Sequence, residues 1–244
     1  TQVARIGLGT NRLRRSPENV SLVKEAVAAG VNHIDTAHTY AGGQSEGTIG
    51  SALSPIRHEY TVATKGGWNG ARPDVLHAEI EESLRRLRTD SIYLYYLHRV
   101  DPATPLEESL GAIKEYRDSG QIRHVGVSNV GIDQIERARA IVPIVAVENS
   151  YSVVERTYDD VVDYATREGI VFVAYFPLRG VSGSALSEIA QRHGATPQQV
   201  TLAWLLKRSP AMLAIPGTLS LQHLKENLAA LDIELSDAEF ESLR

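Results

Sequence analysis

The sequence contains no cysteine, which excludes a disulfide framework, a thiolate metal site and a cysteine nucleophile. It also has no long apolar run, because the longest one, at residues 170–177, is far too short to cross a bilayer. No block of Lys and Arg interleaved with aromatic residues occurs, and the net charge is −5, so a nucleic-acid partner is not expected. The first residues show no secretory pattern, and we therefore expect a cytoplasmic protein without a membrane partner.

What the sequence does contain is an alternation of short apolar, β-branched runs with longer amphipathic stretches. Early strand starts recur about every thirty residues, which is the length of one strand–helix unit. We predict strands at Ala4–Leu8, Val31–Asp35, Tyr60–Thr64, Ser91–Leu97, His124–Val127, Ile144–Val147, Ile170–Phe176 and Leu213–Ile215. We predict helices at Pro17–Ala29, Pro73–Arg88, Pro105–Ser119, Gly131–Ala140, Arg156–Glu168, Pro197–Lys207 and Leu221–Leu231, with a further helix beginning near Ser236.

The chain has 244 residues, 43% of them hydrophobic, which suffices for one large domain. We expect residues 1–244 to form a single (β/α)8 TIM barrel. An open doubly wound sheet is the alternative, and it usually carries three glycines after its first strand. Only Gly7 and Gly9 occur in the corresponding stretch here, and we expect them to serve tight backbone geometry.

Four polar side chains follow three consecutive predicted strands: Asp35 and Tyr40 in HIDTAHTY, Lys65 in VATKGG, and His98 in LYYLHR. Because strand ends of one polarity share one face of a parallel barrel, these side chains can converge there. Each of them alone is more often a cap, a surface side chain or a structural hydrogen-bonder. Their joint placement favours a shared catalytic site.

Together the four residues can form a proton-transfer device. A free phenol, with a pKa of about 10, is a poor acid toward a carbonyl, and a nearby ammonium lowers that pKa. We assign the ammonium to Lys65, which Asp35 keeps charged, and the proton donor to Tyr40. His98 can hydrogen-bond a carbonyl oxygen and orient it toward Tyr40.

Five segments, GVNHIDTAHTYAGGQSEGTIGSAL, VATKGG, LYYLHRVD, IRHVGVSN and IPGTLSLQHLKEN, occur in this order and together resemble the aldo-keto reductase superfamily. The similarity runs from about Ile6 to the C-terminus. It implies a nicotinamide-dependent reductase of a small-molecule carbonyl substrate on a (β/α)8 barrel. By this resemblance Tyr40 is the acid, and Asp35, Lys65 and His98 are its partners.

A phosphate site is expected after the last predicted strand, where the stretch Ile215–Ser220 opens a helix. Backbone amides of this stretch, which contains Pro216 and Gly217, can cradle a phosphate together with the hydroxyls of Thr218 and Ser220. A turn followed by a helix N-cap is the simpler alternative.

The resemblance implies further cofactor contacts. Ser128 and Asn129 match residues that hold the nicotinamide carboxamide. Tyr175 matches an aromatic residue that stacks on the nicotinamide ring, with a core tyrosine as the alternative. Glu226 and Asn227 match positions that contact adenine.

Three features depart from the family pattern. Glu148 stands where Gln is frequent, and we expect it to place a negative charge near the nicotinamide. Members selective for a 2′-phosphate often carry Lys and Arg where Gly217 and His223 stand, and a histidine replaces a fixed cation only in part. NADP is still the expected cofactor, with NAD as the alternative. The segments Leu53–Tyr60 and Leu178–Leu186 are short for the family.

His38 and Trp68 are predicted to line the substrate mouth, whereas Trp204 is predicted to lie in the core. No HxxxH or HExxH pattern occurs, so we expect no metal site. Two other functions stay open. One is a nicotinamide-binding regulatory or sensor protein on the same barrel, and the other is a Schiff-base aldolase, which requires a neutral Lys65.

Overall fold

The structure, a computed structural model, describes residues 3–56 and 59–243. Within these residues eight parallel strands pair in chain order from the first to the last. The strands are β1 (Leu8–Gly9), β2 (His33–Asp35), β3 (Thr61–Gly66), β4 (Ile92–Leu97), β5 (Ile122–Ser128), β6 (Ile144–Ser150), β7 (Val171–Tyr175) and β8 (Met212–Ala214).

The sheet closes on itself between its first and last strands. Isolated parallel bridges join Ile6 to Ala214 and Gly9 to Gly217. The backbones approach closely at this seam, because a Cβ on Gly9 would lie 2.6 Å from the main-chain oxygen of Ile215. The predicted (β/α)8 barrel is confirmed, and Gly9 has the tight backbone geometry that the sequence indicates.

Helices follow the strands and cover the outside of the sheet. In the described part of the chain they are α1 (Pro17–Ala28), α2 (Gln44–Leu53), α3 (Pro73–Leu87), α4 (Leu106–Asp118), α5 (Ile132–Arg139), α6 (Asp159–Glu168), α7 (Ser184–Arg192), α8 (Pro197–Arg208), α9 (Leu221–Ala229) and α10 (Asp237–Ser242). Two 3-10 turns, Tyr40–Gly43 and Ala230–Asp232, complete the set. No helix among the described residues is long and apolar enough to cross a membrane.

Local sequence explains where several helices begin. The Ser16 side chain accepts a hydrogen bond from the Asn19 amide and caps α1, which starts at Pro17, as predicted. Thr196 forms a capping box with Gln199 at the start of α8. These caps satisfy amides that have no partner within the first turn of a helix.

The sequence analysis omits two helices, α2 and α7. Gly47 and Gly50 interrupt the apolar period of α2, and an irregular period hides a short helix. The helix forms because Gly50 lets it pack directly on the end of α3, where a Cβ would lie 2.2 Å from the Arg86 carbonyl oxygen. α7 has only nine residues and follows a segment with two glycines.

Other boundaries shift by a few residues. β1 begins at Leu8 rather than Ala4, and α6 begins at Asp159 rather than Arg156. The segment Leu178–Leu186 is a short connection that already contains the first turn of α7. In the segment Leu53–Tyr60, residues 57 and 58 lie outside the described part of the chain.

Two hydrophobic layers support the barrel. A large cluster lies between sheet and helices and includes Trp204, which is fully buried in α8 as predicted and donates a hydrogen bond to the Phe240 carbonyl. A smaller cluster comes from side chains of the opposite strand faces: Ala63, Leu94, Tyr96, Ala146, Val173, Leu213 and Ile215. Because strand side chains alternate between faces, this second set fills the barrel interior below the strand ends.

Candidate active site

Four predicted residues meet at the carboxyl ends of β2, β3 and β4. The Lys65 ammonium donates hydrogen bonds to Asp35 Oδ1 at 2.5 Å and to the Thr36 carbonyl at 2.9 Å. The Lys65 nitrogen also lies 5.2 Å from the centre of the Tyr40 ring, and the Tyr40 and His98 rings are 6.0 Å apart, edge to face. The structure therefore brings all four side chains to one place.

A left-handed turn positions Tyr40. After this residue, Ala41, Gly42 and Gly43 have φ angles of 50°, 63° and 84°. Glycine is required at the last position, because a Cβ on Gly43 would lie 2.2 Å from the guanidinium carbon of Arg86. Arg86 in turn donates a hydrogen bond to the His38 carbonyl at 3.0 Å, which ties the turn to α3.

Buried charges set the protonation state of Lys65. Burial alone would lower the pKa of this lysine, but its acidic neighbours, of which Asp35 acts most strongly, outweigh burial and raise the pKa above the ordinary value. Lys65 is therefore a permanent ammonium at neutral pH, with its side chain fully buried. This supports the predicted role of Asp35 and argues against a Schiff-base aldolase, which needs a neutral lysine.

The pKa of Tyr40 differs from the expectation. Burial raises it above that of a free phenol, and the Lys65 ammonium lowers it only in part. The predicted net lowering is therefore wrong for this structure. The main reason is the burial of the phenol, and the Asp35 carboxylate also offsets part of the Lys65 charge.

His98 is neutral in this environment. Burial, helped by the positive charges of Lys65 and Arg99, lowers the pKa of His98 to about 3. Its Nδ1 atom is buried and has no hydrogen-bond partner among the described residues. Trp68, which is 40% exposed, lies 4.6 Å from the His98 ring, so the two rings form one wall of the cleft. A neutral imidazole can donate a hydrogen bond to a carbonyl oxygen without adding charge.

Glu148 reaches the same lysine from β6. Its Oε1 atom lies 3.2 Å from Lys65 Nζ, and its Oε2 atom is buried without a hydrogen-bond partner among the described residues. Burial and the neighbouring Asp35 charge raise the pKa of Glu148 well above its ordinary value. The expectation that Glu148 places a negative charge near the nicotinamide stays a prediction. The structure sets one ammonium against two buried carboxyl groups.

Ser128, Asn129 and Tyr175 form a connected chain of hydrogen bonds beside Glu148. The Tyr175 hydroxyl donates to Asn129 Oδ1 at 2.6 Å, and Asn129 Nδ2 donates to the His98 carbonyl at 3.0 Å. The Ser128 hydroxyl donates to the main-chain oxygen of Glu148 at 2.7 Å. Asn129 holds a φ of 58°, a conformation that asparagine tolerates better than most residues. Three loops, after β4, β5 and β7, are thus linked at one point.

Most of these groups line one cavity of about 840 Å³, and Lys65 lies fully buried behind this lining. Of the predicted site residues, the cavity is lined by Asp35, Tyr40, Trp68, His98, Ser128, Asn129, Glu148, Tyr175, Pro216 and Gly217. The lining also includes Gly9, the segment residues Leu178 and Arg179, and Ile215 from the predicted phosphate stretch. The lining residues that the sequence did not indicate are Thr10, Asn11, Arg12, Thr39, Phe176 and Pro177. Most of them follow β1 and β7, and the strand-end rule that found Lys65 and His98 also points to these loops.

The remaining predicted residues lie outside the lining of this cavity. His38 turns toward α3, with its ring nitrogens 3.4 Å from Glu79 and 3.2 Å from Glu82. These carboxylates attract the imidazole away from the substrate mouth where we predicted it. Ser220 caps α9 by accepting from the His223 amide, and Thr218 accepts from the Ser220 amide.

Glu226 and Asn227 lie on α9 beyond that cap. Glu226 accepts a hydrogen bond from Gln222, and Asn227 is buried. Thr218, Ser220 and His223 lie at the N-terminal end of α9, next to Gly217 in the cavity lining, whereas Glu226 and Asn227 lie one turn further along the helix. Their predicted contacts with phosphate and adenine stay predictions.

The residues that line the cavity suit the nicotinamide end of a dinucleotide. The cavity volume lies in the range typical of small-molecule and cofactor sites. At one end it has buried polar atoms without partners in the described chain, Asp35 Oδ2, His98 Nδ1 and Glu148 Oε2. At the other end, Gly9 and Gly217 leave bare backbone where a Cβ on Gly217 would crowd the Gly9 oxygen at 3.2 Å. Among the described residues, no cluster of His, Asp and Glu is arranged to hold a metal ion.

Known proteins resemble the chain throughout. A pyridoxine 4-dehydrogenase of Escherichia coli (strain K12) is 39% identical over 236 residues, covering 89% of this chain and 82% of the relative. The crystal structure of a thermostable aldo-keto reductase in complex with the inhibitor epalrestat superimposes with a TM-score of 0.94 at 36% identity, over 100% of this chain and 95% of the other. An aldo/keto reductase of Klebsiella pneumoniae, crystallised with NADP and acetate, gives a TM-score of 0.90 at 30% identity, over 99% and 90% of the two chains.

The sequence model of the Aldo/keto reductase family matches residues 5–184 and 181–244. The matched segments contain all four residues of the Asp35, Tyr40, Lys65 and His98 cluster. The chain therefore belongs to the aldo/keto reductase family.

Proposed function

We propose that this oxidoreductase reduces an aldehyde or ketone with NADPH, and that Tyr40 supplies the proton. One observation carries the proposal: Asp35, Tyr40, Lys65 and His98 meet beside a cavity of about 840 Å³. The relatives described above are named as reductases or dehydrogenases, which supports turnover rather than a sensor role.

When bound, the nicotinamide supplies the hydride. The protein's own residues manage the proton and the developing charge on the carbonyl oxygen. Neutral His98 donates a hydrogen bond that holds this oxygen near Tyr40, and the Tyr40 hydroxyl gives up its proton as the alkoxide forms. The nearby Lys65 ammonium stabilises the phenolate that remains, and Asp35 keeps Lys65 charged.

The raised pKa of Tyr40 suits a proton donor. A phenol that stays protonated over the whole physiological pH range always has a proton to donate in the reduction. Its acidity is needed only while the alkoxide develops. Stabilisation of the phenolate by Lys65 then acts in the transition state, which is where it accelerates the reaction. Tyr40 is therefore in the protonated form that reduction requires at neutral pH.

NADP is the proposed cofactor, and the Klebsiella relative crystallised with NADP supports it. The proposed contacts are Ser128, Asn129, Glu148 and Tyr175 at the nicotinamide end. At the phosphate and adenine end they are Pro216, Gly217, Thr218, Ser220, His223, Glu226 and Asn227. A cytoplasmic location also stays a proposal.

The relative named pyridoxine 4-dehydrogenase suggests pyridoxine and the corresponding aldehyde as the first substrate pair to test. The half-exposed indole of Trp68 beside His98 is compatible with a small aromatic ring at the mouth. This assignment concerns only the substrate, and the chemistry of Tyr40 does not depend on it.

Replacing Tyr40 by Phe tests the proton donor. We expect kcat to fall by about 10²–10⁴-fold, because a positioned acid contributes that much, while the NADPH dissociation constant changes little. NADPH fluorescence titration and a carbonyl panel followed by cofactor absorbance measure the two effects. Full activity of the variant would refute the role of Tyr40, and a wild-type protein that binds NADPH but turns over no carbonyl would favour a sensor.

A further inference from the structure

Lys65 faces two carboxyl groups from different strands. Asp35 Oδ1 lies 2.5 Å from the ammonium nitrogen, and Glu148 Oε1 lies 3.2 Å from it. Both carboxyl side chains are about 2% exposed, and the lysine is fully buried. In such a place water cannot stabilise a second negative charge, and the cost of a buried, unmatched carboxylate is high.

The hydrogen bonds of Lys65 are unevenly distributed. An ammonium has three protons, and two of them go to Asp35 Oδ1 and the Thr36 carbonyl. Only the third is left for the side on which Glu148 and Tyr40 lie. Asp35 therefore interacts more strongly with the Lys65 ammonium than Glu148 does, because its carboxylate oxygen lies closer to the nitrogen.

Within the described part of the chain, Glu148 has no second cationic partner besides Lys65. The titratable groups that act on it or feel its charge are Asp35 on β2, Lys65 on β3, Tyr96 on β4, Tyr175 on β7 and Tyr40 in the 3-10 turn. Lys65 alone among them is positive. The phenols of Tyr96 and Tyr40 are themselves held protonated by burial, so neither of them can take the proton from Glu148.

We propose that Glu148, which lines the cavity, is a neutral carboxylic acid at physiological pH and that its unpaired Oε2 end binds the amide of the nicotinamide cofactor as a glutamine side chain would. A protonated carboxyl group has one donor and one free acceptor, as an amide does, whereas a carboxylate can only accept. Burial and the Asp35 charge both raise the pKa of Glu148, in agreement with this assignment. The cofactor half of the inference rests on the proposed function, and the protonation half does not.

Carboxyl-carbon NMR of protein labelled with ¹³C at the glutamate side chain tests the protonation state without any cofactor. We expect one resonance at the chemical shift of a protonated carboxyl at neutral pH, and we expect Glu148→Gln to remove it. Glu107→Gln is the control, because Glu107 is an exposed partner of Arg137 and its loss should leave that resonance in place. If every glutamate is ionised at neutral pH in the wild-type protein, the proposal is overturned.

Two substitutions then test the contact with the cofactor at neutral pH. Glu148→Gln replaces one neutral donor–acceptor by another, so the dissociation constants for NADPH and NADP⁺ should each stay within about threefold of wild type. Glu148→Leu removes both functions and should weaken NADPH binding by about tenfold or more.

The outcomes separate the two halves. If Gln weakens NADP⁺ binding at least tenfold and spares NADPH, Glu148 is an anion that favours the cationic nicotinamide, and the proposal fails. If Leu leaves NADPH affinity unchanged, Glu148 does not contact the cofactor. If wild-type protein binds no nicotinamide nucleotide, the proposed function fails, while the NMR result still decides the charge of Glu148.

Discussion

The two ends of the cavity are built by different means. At the end under β2 to β4, buried side chains of opposite charge hold one another at short distances, as Lys65 and Asp35 do. The end next to β8 and β1 has no such charged pair in the described chain. It consists of bare backbone around Gly9 and Gly217 and of the N-terminus of α9, where His223 is exposed. The first end is defined by side-chain chemistry, and the second by the shape of the main chain. The two ends should therefore respond differently to substitution.

Lys65→Met should have the largest effect, because it leaves two buried carboxyl groups without a cation. We expect turnover to be abolished and the free energy of unfolding to fall by about 3–5 kcal/mol. Chemical denaturation measures the loss. Lys207→Met is the matched control, since Lys207 pairs with the exposed Asp237 at 2.7 Å and should cost less than about 1 kcal/mol. Equal losses in both variants would show that the buried pair is no stronger than a surface pair.

His33, a buried histidine on β2, should make the free energy of unfolding depend on pH. Burial lowers the pKa of His33 to about 4, below its value of about 6.5 in the unfolded chain. The unfolded state therefore binds the proton first, and stability present above pH 6.5 is lost as pH falls toward 4.

His33→Asn should remove part of that loss while keeping a polar atom near Thr61, which lies 2.8 Å from His33 Nδ1. Between about pH 7 and pH 4.5, the variant should lose about 2 kcal/mol less unfolding free energy than wild type. Denaturant titrations at both pH values give the difference. A variant that loses as much as wild type would contradict the assignment of a neutral His33.

Gly9→Ala tests the backbone-built end. A Cβ at this position would lie 2.6 Å from the Ile215 oxygen, so β1 and β8 must move apart, and we expect a loss of about 1–3 kcal/mol in unfolding free energy. Cofactor affinity, measured by NADPH fluorescence, should fall as well. Gly111→Ala is the control, because it lies in α4 with nothing within 4 Å and should gain about 0.5–1 kcal/mol. If the Gly9→Ala protein is as stable as wild type and binds NADPH equally well, the seam between β1 and β8 is not part of the cofactor site.

His223→Arg should give the smallest effect, and it tests the backbone-built end of the cavity by adding a charged side chain there. A fixed cation in the first turn of α9 should bind the extra phosphate of NADPH and raise the preference over NADH by about tenfold. The affinity for NADH is the internal reference, and His77→Arg, on distant α3, is the matched control. If both variants change the preference equally, the gain comes from net charge and not from position.

The contrast between the two ends also explains what the sequence could predict. Asp35, Lys65 and His98 were recognisable because charged side chains stand out after apolar strands, and parallel strands bring their ends together. The loops after β1 and β7 also carry charged side chains, Arg12 and Arg179, but an arginine in a loop is usually a surface residue, so the sequence did not mark these two as part of the cavity. Helix α2 was missed because Gly47 and Gly50 serve packing and at the same time break the period.

The protonation states of Tyr40 and Glu148 were harder to predict than their distance from Lys65. The approach of Lys65 to Tyr40 follows from strand order, whereas the pKa of Tyr40 depends on how strongly burial and two carboxyl groups oppose one ammonium. The position of Glu148 at the end of β6 was also predictable, but its protonation state depends on which carboxyl group lies closer to Lys65. Such competition among three charges needs distances that no pattern of residues contains.

The seam between β1 and β8 has a consequence for how the protein matures. Arg5 donates hydrogen bonds to main-chain oxygens of Leu206 and Met212, about two hundred residues further along. Contacts of such long sequence separation slow folding, because most of the chain must be ordered before they form. A ribosome-bound chain that ends before β8 already contains Asp35, Tyr40, Lys65 and His98, yet it still lacks the residues around Gly217 that line the other end of the cavity. Affinity for the nicotinamide nucleotide should therefore arise last, only after the two ends of the barrel have met.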